Sequence, residues 1–128
     1  PVAAAAVAAA LAAGGARTTN PALQARLLEL AELARRGDIR GLVKVFVPPD
    51  LSAEDVDFFA SELEGDAERW QQLSAELLLI ADGRMVTAIV GDQRTRAEFR
   101  YFMPGSREVR INREVVFVCE NGDWRAEG

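Results

Sequence analysis

The sequence predicts an α+β domain in which N-terminal helices pack on a curved antiparallel β-sheet. Two observations carry this. From Asn20 to Leu77 the apolar residues recur at helical spacing, whereas from Leu77 to Glu127 short β-favouring runs alternate with the turn pairs Asp82-Gly83, Gly91-Asp92, Pro104-Gly105 and Asn121-Gly122. Within that second part Arg107 to Glu120, REVRINREVVFVCE, is long enough to be the central strand, with a short returning strand bearing Trp124 beyond it. The 128 residues make one domain by length. A chain of this size buries roughly two-thirds of its unfolded surface and needs neither disulfide nor metal to hold a core.

The helical elements follow from local signals. Asn20-Pro21 starts a helix, because the asparagine side chain accepts from exposed amides and proline suits the first turn. Leu23, Leu27, Leu30 and Ala34 form its apolar stripe, Arg35 and Arg36 oppose the helix dipole, and Gly37 is the left-handed stop. Asp38 caps a shorter helix through Ile39, Leu42, Val43 and Phe46 that Pro48-Pro49 halts, with a strand over 42–47 as the alternative. Ser52 and Asp55, with Leu51 able to pack on Val56, begin a third helix that turns Val56, Phe59, Ala60 and Leu63 inward. It stops at Gly65 and resumes from Asp66 through Trp70, Leu73 and Leu77.

The strands are read from a period of two. Leu77 to Ala81 and Arg84 to Val90 are expected to pair across Asp82-Gly83, a dipeptide suited to a type I′ hairpin. Thr95, Ala97, Phe99, Tyr101 and Met103 share one face, opposite Arg94, Arg96, Glu98, Arg100 and Phe102. In the longest strand Val109, Ile111, Val115, Phe117 and Cys119 share a face on which Arg113 is the exception; Val115 to Val118 is apolar on both faces, so that part is either covered on each side or shifts register at a bulge near Arg113 and Glu114, which would turn Arg113 outward.

Composition excludes several kinds of chemistry. A net charge of −5 is wrong for a phosphate-binding surface, and the arginines from Arg94 to Arg113 are interleaved with Glu98 and Glu108, as on a solvated sheet face. Histidine is absent, which removes the commonest general base, metal ligand and pH switch. The single cysteine, Cys119, has no partner for an internal disulfide and no histidine to activate it, so it reads as a packed thiol. Glu62, Glu64, Asp66 and Glu68 crowd one helix junction, but lack the spacing and glycine of a calcium loop. No cofactor and no metal are expected.

Residues 1–19 stand apart as an alanine-rich segment before a single domain of 20–128. The tract PVAAAAVAAALAAGGA is either a further helix ended by Gly14-Gly15 or the apolar part of an export signal, and the second reading is preferred. It is too short and too weakly apolar to span a bilayer, which takes about 20 strongly apolar residues.

Three features together resemble a family. They are the helix closing in Arg36-Gly37-Asp38 before a short Leu/Phe-rich helix, the break Val47-Pro48-Pro49-Asp50, and the ending Phe117-Val118-Cys119-Glu120-Asn121-Gly122-Asp123-Trp124-Arg125. The chain resembles the nuclear transport factor 2 like superfamily, which includes ketosteroid isomerase and SnoaL-type proteins, and is most similar to its small exported bacterial domains of no assigned activity. The resemblance implies a cystatin-like cone with a pocket between helices and sheet, and a homodimer through the outer sheet face. Catalytic members use an aspartate or histidine inside the cone; no residue here matches, so none is carried over as catalytic.

In such a pocket Arg113 and Tyr101 would be the polar groups, with Phe59, Trp70, Phe99 and Phe117 as apolar lining, since convergent polar groups in an apolar concavity make a small-molecule site. A structural ion pair is the competing role for Arg113. The leading expectation is a non-catalytic, exported domain that binds a small apolar or anionic ligand or self-associates, without nucleic acid or a membrane span. The alternative is a SnoaL-like isomerase, cyclase or hydrolase, which needs one carboxylate among Asp55, Asp57, Glu62, Asp66 and Glu76 inside the cone.

Overall fold

A computed structural model describes residues 17–83, 85–104 and 110–127. The alanine tract, the Pro104-Gly105 turn and the strand start at Arg107 lie outside the described residues. Among the described residues, four helices, α1 (Pro21–Arg36), α2 (Ile39–Phe46), α3 (Ala53–Glu64) and α4 (Ala67–Asp82), precede four strands, β1 (Val86–Val90), β2 (Arg96–Pro104), β3 (Arg110–Glu120) and β4 (Asp123–Ala126). The strands form one antiparallel sheet in sequence order. Helices packed on such a sheet make the α+β class.

Each helix begins where a short polar side chain meets exposed amides. Asn20 accepts from the amides of Ala22 and Leu23, Asp38 from Gly41, Ser52 from Asp55 and Asp66 from Arg69. Gly37 closes α1 at φ +70°, a backbone region that costs glycine nothing. The stripe of α1, with Leu23, Leu27 and Leu30 fully buried, packs on α4, whose Leu77, Ile80 and Ala81 face it. Phe99 and Phe117 on the inner sheet face complete this core, their rings edge to face at 5.9 Å. Val43 and Val47 with Ala60 and Leu63 form a smaller cluster between α2 and α3.

One sequence expectation fails here, and one of two alternatives is ruled out. Leu77 to Ala81 is not a strand: α4 continues through Asp82, and Gly83 at φ +76° caps that helix, its amide bonded to the Leu79 carbonyl. Left-handed glycine serves a helix end as well as a hairpin, and the spacing Leu73, Leu77, Ile80 extends the helical stripe. Nor is there a bulge at Arg113. The β2–β3 ladder runs unbroken from Arg96 opposite Val118 to Pro104 opposite Arg110, and the irregularity lies in β1, between Val86 and Ala88. Arg113 therefore stays on the inner face, directly opposite Tyr101. The Asn121-Gly122 hairpin is as expected, with both residues at positive φ and Glu120 paired to Asp123. No helix among the described residues is long and apolar enough to cross a membrane.

Candidate functional site

The unbroken ladder fixes what Arg113 and Tyr101 can reach. Side chains on one sheet face lie side by side across paired strands, so both point at the helix layer, where α4 carries Glu76. Glu76 is only 7% exposed. The Tyr101 hydroxyl donates to its Oε1 at 3.0 Å, and Arg113 Nε forms an ion pair with the same oxygen. A buried carboxylate is tolerated only when it is paired and hydrogen-bonded, and this one is both. None of the described residues donates to its Oε2.

The Arg113 side chain remains 41% exposed. The hydrogen-bonding pattern puts the Gln72 carboxamide oxygen against it, accepting from Nη1 at 3.2 Å and Nη2 at 3.3 Å. Gln72 and Glu76 lie one helical turn apart, so one face of α4 holds the guanidinium at both edges. Burial alone would lower the Arg113 pKa, but the Glu76 carboxylate and the Tyr101 hydroxyl outweigh it and hold the group above its usual value. Burial and then the Glu76 charge push the Tyr101 phenol well above its ordinary range, so it is a fixed neutral donor.

Arg113, Glu76 and Gln72 open on a hollow of about 230 Å³ whose apolar wall is Phe46, Phe59, Leu63 and Leu73, with Arg69 at the rim. Of the residues singled out from sequence, Arg113 and Phe59 line it directly. Tyr101 stands behind Glu76 and, with Arg113, lines a neighbouring hollow of about 490 Å³ beside Thr87 and Arg100. Trp70 is half-buried and packs against both core clusters. Phe99 and Phe117 are fully buried core residues with no surface left to offer a ligand.

Of the candidate carboxylates, only Glu76 is buried. Asp57 pairs with Arg40, Glu62 with Arg69, Asp66 caps α4, and Asp55 is exposed at the start of α3. The signal for Glu76 was its place within the stripe Leu73, Leu77, Ile80; for Gln72 it was the single turn separating it from Glu76. Among the described residues no group of His, Cys, Asp and Glu could hold a metal ion. The arrangement offers an oriented, partly exposed guanidinium beside an apolar wall, which can hold an oxyanion on a small apolar body. Compared with known proteins, the chain matches no family model, no curated protein and no solved structure.

Proposed function

We propose that the domain is a non-catalytic binder of a small organic anion, held in a cone of the kind the nuclear transport factor 2 like resemblance implies. One observation carries the reading: Arg113 is fixed by Glu76 and Gln72 yet keeps two-fifths of its side chain open at the mouth of an apolar hollow. The guanidinium takes the ligand's carboxylate, and Phe46, Phe59 and Leu73 take its apolar part. The hollow has room for a small aromatic acid and not for a steroid.

Calorimetric titration with phenylacetate and with neutral benzyl alcohol tests this. Phenylacetate is expected to bind at least about tenfold more tightly than benzyl alcohol, and Arg113→Met to remove that preference. Equal affinity for the two compounds, or a preference that survives Arg113→Met, would overturn it.

A second reading is favoured by Glu76, a buried carboxylate whose Oε2 receives no donor from the described residues, since a proton-abstracting enzyme needs such a group. Against it, Glu76 Oε1 is already occupied by the Tyr101 hydroxyl and the Arg113 guanidinium, which tie the carboxylate to the sheet. Hydrogen–deuterium exchange at the α-carbon of a bound ketone, abolished by Glu76→Gln, would select this reading over the first.

A further inference from the structure

A second hollow, of about 440 Å³, lies between the end of α2, the Pro48-Pro49 turn and α3, with β4 supplying Arg125. It shares no residue with the Arg113 hollow. Its wall is apolar, made by Val47, Pro48, Pro49, Leu51 and Val56, and its polar groups are mostly cationic. Three cations, Arg40, Lys44 and Arg125, face one acid, Asp57, in a chain whose net charge is −5.

These cations are not equally available. Arg40 is occupied by Asp57 and Glu64. Arg125 is locked in place: Nε pairs with Asp123 at 2.7 Å, and Nη1 donates to the carbonyls of Lys44 at 2.6 Å and Val47 at 3.1 Å. A guanidinium has five N–H donors, and these contacts use three, leaving Nη2 without an acceptor among the described residues. Lys44, the only lysine in the chain, has an exposed side chain with no ion-pair partner among the described residues. Lys44 and Arg125 both line the hollow, and the Arg125 guanidinium is anchored on the Lys44 backbone.

The geometry points to a binding site for a monocarboxylate with an aliphatic tail, such as a medium-chain fatty acid. Lys44 and Arg125 Nη2 receive the carboxylate and the proline-lined wall receives the tail. One anionic head is the match: Lys44 supplies a charge without an ion-pair partner among the described residues, and Arg125, itself paired with Asp123, adds only its spare Nη2 donors. Preorganisation of Arg125 by three acceptors lowers the ordering cost of binding. A ligand of this class enters a trough of this volume with most of its tail removed from water.

Titration of isotope-labelled protein with octanoate, followed by amide chemical shifts, tests the site. Saturable shifts are expected in 44–57 and at Arg125, with 1-octanol and acetate each binding at least about tenfold more weakly. Lys44→Met keeps the aliphatic stem and is expected to weaken octanoate about tenfold, while Ala53→Trp, an exposed position at the wall, blocks the tail. Arg113→Met is expected to leave octanoate binding within about twofold, which separates this site from the first hollow. Octanol or acetate binding as well as octanoate, shifts centred on Arg113, or unchanged affinity in both Lys44→Met and Ala53→Trp would overturn the assignment.

Discussion

Two arginines reach from the sheet to the helix layer, and they do so on different terms. Arg113 on β3 meets Glu76, whose side chain is 10% exposed, while Arg125 on β4 meets the last carbonyls of α2 and Asp123, whose side chain is 35% exposed. The cation at the first contact neutralises a charge that has left water. The cation at the second satisfies carbonyls that a helix end always leaves over and that water can also reach. The same side chain is thus a condition for burying Glu76 in one place and a cap with a spare edge in the other. Stability is expected to respond far more strongly to loss of the first.

The largest expected effect is that of Arg113→Met. Breaking one partner of a buried ion pair costs about 3–5 kcal/mol, and the solvent access of Arg113 together with the surviving Tyr101 bond lowers this to about 2 kcal/mol. Arg125→Met is expected to cost about 1 kcal/mol, because the freed carbonyls lie at a partly hydrated helix end. Adding Glu76→Gln to Arg113→Met is expected to recover part of the loss, since it removes the stranded charge. Denaturant unfolding of the four proteins checks this, and equal losses for the two arginine variants would erase the distinction between the contacts.

Tyr101 sharpens the same comparison from the alkaline side. It is the chain's only tyrosine, so its phenolate absorbance reports this one group. Its folded pKa lies above the ordinary value of 10.0. Above pH 10 the unfolded chain releases the phenolic proton while the folded chain keeps it, so stability is whole below 10 and falls as pH rises beyond it. Tyr101→Phe is expected to cost about 1–2 kcal/mol at neutral pH, through the lost bond to a charged acceptor, and to flatten the alkaline decline. A phenol that titrates near 10 in the folded protein would mean that Glu76 and burial do not govern it.

What was legible in the sequence follows the range of the force involved. Asn20, Asp38 and Ser52 cap their helices as read, because a cap is settled within four residues. Asp82-Gly83 was not legible as a helix end, since a left-handed glycine suits a hairpin equally and only the packing of Leu77 and Ile80 on α1 decides between them. The inward direction of Arg113 was visible in the strand period, but a lone cation on an apolar face invites a bulge unless its partner is known. That partner, Glu76, is 37 residues earlier, on another kind of element, and no periodicity links the two. Phe59 and Arg113 could be picked out as pocket residues, whereas Phe46 and Leu73 join them only through tertiary packing.

The smallest effect is expected at Asp123, the acid shared by Arg125 and Arg26. The Arg125 guanidinium, and with it Arg26, holds its pKa below the ordinary value of 3.8. A depressed folded pKa gives stability that is present above 3.8 and drains away as pH falls through the folded value. With a third of the side chain in water the pair is screened, so Asp123→Asn is expected to cost less than about 1 kcal/mol at neutral pH. The variant should lose stability less steeply than the parent as pH falls below about 4. A loss as large as that of Arg113→Met would place Asp123 in the same class as Glu76, and the contrast between a charge hidden from water and one merely shielded from it would fail.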